Sequence, residues 1–323
     1  MPQHRIEPNP AARHPANDDG TPACAITGRS DLVEIYRGPI RSGGPGSEPA
    51  GDYRVLLDDS IDTAMLHPAP DDPGEAYATN AYWDDRAGGF DEHKLHARFG
   101  PEQTRWFNEI TPAGLLSRRV VDVGCGPGLF LDLAASVARA TTACDLADAF
   151  VTRIESRGHR FVRGLDGLEP AGHDVAVCFD TLEHIPDPVE FCRGLRRALA
   201  PGGEAWVGVP NLHDFLRAIV PEYTPFFFHA GHLWYFSGAG LRSTLERAGF
   251  DVLETRHVHK YNLMNAMGWA LHRKAQGNPS QAPFDARTEA GFAADLERQG
   301  IASHVLVRAV NPGGTNEPEG ARA

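Results

Sequence analysis

Three alternating glycines, Gly124, Gly126 and Gly128, come directly after a β-branched run of Val120, Val121 and Val123. An acid, Asp145, closes the next apolar run about twenty residues further on. Where there is no Cβ a ligand can reach the backbone, and a carboxylate at the end of the second strand can accept both hydroxyls of a ribose. The pattern is that of a strand, tight turn, helix and strand that bind a nucleoside. A dinucleotide loop needs its third glycine five positions after the first, and this chain has Leu129 there. An acid, Asp122, instead sits two positions before Gly124. The spacing is therefore wrong for cradling a pyrophosphate. Three further places carry titratable side chains in informative positions. Asp166 follows a third apolar run, Asp180-Thr181-Leu182-Glu183-His184 follows a fourth (Val175 to Phe179), and His229 and His232 stand in an aromatic stretch. Imidazole exchanges protons near neutral pH, so the two histidines are candidate general bases.

The elements that must position these residues follow from apolar periodicity and punctuation. Leu129 to Ala138 has helical spacing. AFVTRIESRG reads as a short helix ended by Gly158, and HRFVRGLDGL as a strand leading to Asp166. Pro186 and Pro188 open a helix after the fourth strand. APGGEAWVGVPN is a turn and fifth strand, GLRSTLERAGF a helix, DVLETRHVH a strand, and SHVLVRAV the last strand. Strands alternating with helices predict an α/β fold with helices on both faces of a mostly parallel sheet, whose ligands lie beyond the strands' carboxyl ends. That rule gathers Asp145, Asp166, Asp180, Thr181, Glu183 and His184 into one cleft.

The glycine loop with its preceding acid, the acid ending the second strand and the segment FDTLEHIPDP together resemble three ordered motifs of the class I S-adenosylmethionine (SAM) dependent methyltransferases. The resemblance runs from about residue 22 to 310. It implies a Rossmann-like seven-stranded sheet with an antiparallel last strand, and SAM as cofactor. It implies that Asp122 helps hold the cofactor's ammonium and that Gly124, Gly126 and Gly128 lie against its methionine part. Asp145 and Leu146 would serve the nucleoside, Asp166 the adenine amino group, and Asp180, Thr181 and His184 the side nearest the methyl group. Glu183 and His184 are second candidates for the base, after His229 and His232. The acceptor is expected to be a small molecule, from secondary metabolism or a sugar. A nucleotide-linked oxidoreductase and a non-catalytic SAM-binding protein are the competing readings.

Composition narrows the partners. A net charge of -12 over 323 residues argues against a broad nucleic-acid or anionic-membrane surface. No run is long enough to cross a bilayer and no apolar leader follows the first basic residues, so the cytoplasm is expected. Five cysteines without framework spacing predict free thiols. Lysine occurs only at 94, 260 and 274, beside many arginines, which reads as genome bias.

Around the nucleoside fold the chain carries additions. Residues 1–21 and 311–323 have the composition of disordered segments. Residues 22–75 form a small module and linker, whose PACAITGRSDLVEIYRGPI resembles the start of a zinc ribbon found before some class I methyltransferases. The second ligand position there is Thr27, so no metal is expected. Residues 76–110 read as a helical cap, in which the resemblance turns Tyr82 of a Tyr77/Tyr82 pair toward the cofactor, although both rings could simply pack the cap. Residues 111–310 make the catalytic domain, with lid or acceptor insertions at 213–236 and 259–300. The eight aromatic rings of 213–236 are open to two readings, core packing and an acceptor pocket.

Overall fold

The computed structural model describes residues 23–42, 49–69, 91–110, 112–275 and 283–313. In chain order these form β1 (Val33–Arg41), β2 (Pro49–Asp58), β3 (Thr63–His67), α1 (Glu92–Ile110), α2 (Pro112–Leu115), β4 (Arg119–Val123), α3 (Leu129–Ala134), β5 (Ala140–Asp145), α4 (Val151–Ser156), β6 (Arg160–Arg163) and β7 (His173–Phe179). There follow α5 (Pro188–Ala198), β8 (Leu199–Pro210), α6 (Phe215–Ile219), α7 (Tyr223–Phe227), β9 (Trp234–Phe236), α8 (Gly238–Arg247), β10 (Asp251–Val258), α9 (Leu263–His272), α10 (Ala286–Arg298) and β11 (His304–Val310).

The large sheet has the order β10-β11-β8-β7-β4-β5-β6, and β11 runs antiparallel to both of its neighbours. This is the predicted seven-stranded, mostly parallel sheet. Its central strands are buried on both faces, because alternate residues enter different cores. Val121, Ala176, Cys178 and Val207 face the side covered by Cys192 and Leu195 of α5 and Leu241 and Leu245 of α8. Val120, Val175, Val177 and Trp206 face Trp106 and Ile110 of α1 and Phe130 and Leu131 of α3. The α5 helix starts where expected: Asp187 accepts a hydrogen bond from the Glu190 N–H, and Pro188 fills the first helical position. The five cysteines are buried and free.

Two local elements are shorter than the sequence suggests. The helix after the glycines stops at Ala134 rather than Ala138, because the Ser136 hydroxyl donates to the Leu133 carbonyl and the chain turns there. The third strand stops at Arg163, and Gly164 at φ 69° leads into a short turn that presents Asp166 to solvent.

A second, four-stranded antiparallel sheet has the order β1-β2-β3-β9. Its fourth strand comes from the 213–236 segment, with Met65 opposite Trp234 and Thr63 opposite Phe236. The amino-terminal module is therefore completed by residues far along the chain. Thr27, at the position where the ribbon would have a ligand, donates its hydroxyl to the buried Asp58 carboxylate at 2.5 Å, and Ser60 and Arg29 also donate to that carboxylate. Burial pushes the Asp58 carboxyl up, but Ser60 and Thr27 outweigh it and hold it below the usual range. Among the described residues no helix is long and apolar enough to cross a membrane.

Candidate active site

The direction of the crossovers reverses between β4 and β7, and the side chains of interest meet at that switch. The chain leaves β4 through Gly124 (φ 77°), Gly126 (φ 49°) and Gly128 (φ 76°). A Cβ on Gly124 would lie 2.1 Å from the Thr181 hydroxyl, so β7's end and the glycine loop touch only because this residue is glycine. Gly124→Ala combines a left-handed φ with that overlap and is expected to destabilise the fold by about 2 kcal/mol or more, read as a lower urea midpoint.

Asp145 ends β5 with one carboxylate oxygen on this loop and the other on the turn after β5. One accepts from the Gly126 N–H at 2.9 Å and the other from the Ala147 N–H at 3.0 Å. Burial raises the carboxyl, and the backbone donors offset part of the rise. Each oxygen retains a further lone pair for a ligand hydroxyl. Leu146 follows with an exposed apolar side chain. Asp122 lies beneath the loop, only 5% exposed, and burial together with Asp145 pushes it up to about 8.

Asp180, just beyond β7, adopts φ 50°, an uncommon conformation for a residue with a Cβ. One of its oxygens receives Lys260 Nζ at 2.7 Å, and the other faces His304 Nε2 at 3.3 Å. Lys260 also pairs with Glu102 on α1, and its ammonium lies 4.6 Å from the centre of the Trp106 ring. Burial pushes the Asp180 carboxyl up, but Lys260 and His304 dominate and hold it well below the usual range. Burial, with Lys260 beside it, pushes His304 down to about 4, so that ring is neutral at pH 7. The helix α1, the sheet and the chain after β10 are joined by this one cluster.

A second cluster lies on the other side of Asp180. Glu183 and His184 occupy a short turn, and the strip 231–234 is tied to it by three hydrogen bonds. His184 Nδ1 meets the Gly231 carbonyl at 2.6 Å, the Leu233 N–H donates to the Glu183 carbonyl, and Trp234 Nε1 donates to the Ile185 carbonyl. A carbonyl only accepts, so His184 carries a proton on Nδ1. The His232 ring centroid lies 4.7 Å from that of His184 and 4.8 Å from that of His229. Burial, then His184 and His229, pushes His232 well below the ordinary imidazole range. His229 is buried, and its Nδ1 accepts the Gly231 N–H, so that lone pair is already used.

The structure brings Gly124, Gly126, Gly128, Asp122 and Asp145 together, and places Thr181 against them. Asp180, Glu183, His184, His229 and His232 gather next to Thr181, while Asp166 stands exposed in the turn after β6. Tyr77 and Tyr82 lie outside the described residues. Of the eight rings in 213–236, six are buried, and only Phe215 and Phe226 are partly exposed. Trp269 of α9 packs on Tyr223 and Phe226, and Arg217 stacks over Phe227 and Phe228, so this stretch mainly fills the joint beneath the small sheet. Sequence reading missed Glu102, Lys260 and His304. The signal available for Lys260 was its rarity: where arginine is the default cation, a lysine at the end of a strand stands out.

Comparison with known proteins bears on the same residues. The family model for a methyltransferase domain matches residues 92–255. A protein of Mycolicibacterium smegmatis named as a probable S-adenosylmethionine-dependent methyltransferase is 32% identical over 210 residues, covering 60% of this chain and 79% of that one. A ubiquinone biosynthesis O-methyltransferase of Paracidovorax citrulli is 32% identical over 186 residues, with 52% and 76% covered. Its counterpart in Albidiferax ferrireducens is 31% identical over 153 residues, a match that takes in 43% of this chain and 58% of that protein. Among solved structures, the Burkholderia thailandensis 1,6-didemethyltoxoflavin-N1-methyltransferase superposes with a TM-score of 0.47 at 15% identity, covering 80% of this chain and 95% of that one. With the domain match spanning half its length and this strand order around a glycine loop, the chain belongs to the class I SAM-dependent methyltransferases.

Proposed function

We propose that the protein transfers the methyl group of SAM to a hydroxyl oxygen of a small molecule. The observation that carries the cofactor half is Asp145, whose two oxygens are fixed by the Gly126 and Ala147 N–H groups with lone pairs left over for a ribose. The acceptor half is supported by the imidazole pair next to Asp180 and by the names of the relatives, several of which are O-methyltransferases. SAM supplies an electrophilic methyl on a sulfonium whose departure leaves a neutral thioether. What the chain must do is align the acceptor at about 3 Å, exclude water and accept the hydroxyl proton. His232 suits the last task, because its imidazole is neutral at pH 7 and packs against His184 in the turn after β7. The cap-to-sheet link through Glu102, Lys260 and Asp180 suits the second, since it ties α1 over that end of the sheet. Calorimetry with SAM and with NADH tests the assignment: SAM binds and NADH does not. The reverse would point to hydride transfer.

The pH dependence of binding is a sharper test. Without ligand Asp122 titrates at about 8 and is protonated at pH 7. Opposite an ammonium it ionises, so binding releases a proton, and affinity rises with pH below that value. The expected slope approaches about tenfold per pH unit between about pH 6 and 7. Titrations in buffers of different ionisation enthalpy count the proton directly, and no release would remove Asp122 from the ammonium's side.

A further inference from the structure

In the order β10-β11-β8-β7-β4 the edge strand β10 stands four strand spacings from β4, which carries the glycine loop, or about 19 Å across the sheet. Against β10 lies a cleft of about 460 Å³, bounded by the start of α8, by residues 299–301 and by His213 just after β8. Small-molecule sites have volumes of about 300 to 1,000 Å³, and one water occupies about 30 Å³ of liquid, so the cleft has room for far more than a bridging water or two. Thr255 and His257, alternate residues of β10, share one wall, and Leu253 and Ile301 add apolar surface.

Two buried polar atoms on these walls have no hydrogen-bond partner among the described residues. His213 Nε2 meets the Asp62 carboxylate at 2.8 Å, which leaves Nδ1 over, and on another segment Thr255 Oγ1 is in the same position. Orphaned groups of this kind are costly unless something in the cavity meets them. The charged side chains of the cleft are already matched: Arg242 pairs with Glu246 at 3.0 Å, Glu254 with Arg256 at 3.3 Å, and Asp62 with His213. Gly238, the first residue of α8, keeps the space open. Its φ is not left-handed, so the backbone does not call for glycine there, yet a Cβ would lie 3.1 Å from Thr255 Cγ2 and 3.4 Å from His257 Nε2.

We infer that this cleft is a second ligand site, which binds a neutral polyol through its hydroxyls. A hydroxyl both donates and accepts, so one can meet His213 Nδ1 and another the Thr255 hydroxyl, while the ligand's C–H surface rests on Leu253 and Ile301. A carboxylate or phosphate fits worse, because it meets two acids, Asp62 and Glu254, for the one arginine, Arg242. Methyl transfer needs its reactants about 3 Å apart, so a polyol held against β10 is out of reach of a methyl group at the glycine loop, and the site is separate from the acceptor's. The inference stands on the cavity and its orphaned atoms and does not depend on the proposed reaction.

The test is NMR of the full chain carrying isotope-labelled histidine, titrated with myo-inositol, D-sorbitol and inorganic phosphate in turn. The His213 and His257 ring signals, assigned by their loss in His213→Gln and His257→Gln, should shift and saturate with at least one of the two polyols and stay in place with phosphate. Thr255→Val keeps the shape of the side chain and removes the hydroxyl. It should weaken the polyol by about fivefold or more, and, because that hydroxyl has no partner to lose, it should leave the urea midpoint of the ligand-free protein unchanged or raised. Ala239→Leu, at an exposed position on the cleft, should block the polyol by bulk and serves as the second variant. Ring signals that ignore both polyols, signals that answer to phosphate instead, or a polyol affinity unchanged in both Thr255→Val and Ala239→Leu overturn the assignment.

Discussion

His232→Ala is expected to lower turnover of an ionisable acceptor by about a hundredfold or more, while the dissociation constant for SAM changes little. The imidazole sits between His184 and His229 on a strip hydrogen-bonded to the turn after β7, whereas the Asp145 oxygens hold the Gly126 and Ala147 N–H groups. His229 cannot readily take its place, since its Nδ1 already accepts the Gly231 N–H. The split between the two constants is what identifies the role. If SAM binding and thermal stability fell together, His232 would be an anchor for the 229–236 strip, and normal turnover would remove it from the chemistry altogether.

Asp145→Ala should weaken SAM by about tenfold or more. A hydrogen bond to a charged group contributes about 1.5 to 3 kcal/mol, and a ribose offers two hydroxyls. The structure adds a second reason. The same carboxylate anchors the Gly126 and Ala147 N–H groups, so its removal also frees the loop that has to meet the ligand. Asp145→Asn separates the two contributions, since the amide oxygen can keep one anchor without the charge. An unchanged dissociation constant in a folded Asp145→Ala protein would remove the cofactor assignment.

What could be read in the sequence was what is local in the chain. Gly124 to Gly128, Asp145 and Asp180 each follow an apolar run, so strand, turn and ligand-facing residue appear in one short window. The two histidines of 229–232 were visible as titratable residues at the right point of the topology. Their relation to Glu183 was not, because it depends on hydrogen bonds between segments about fifty residues apart, such as His184 to Gly231. Lys260 reaches Asp180 across 80 residues and Thr27 reaches Asp58 across 31. Neither distance leaves a periodic trace. The Trp234–Phe236 strand was hidden for another reason: three aromatic residues in an aromatic stretch look like core, and they are core and strand at once.

That short strand also orders events during folding. The edge it completes, β3, leaves the ribosome about 170 residues earlier than Trp234, its partner for Met65. Closing a loop of that size costs entropy that three paired residues recover poorly on their own, so the pairing must wait until the large sheet has brought Asn211 near Phe236. The strip that carries His232 is thus among the last parts of the chain to become fixed, and the amino-terminal hairpin must pass most of synthesis with one edge uncovered.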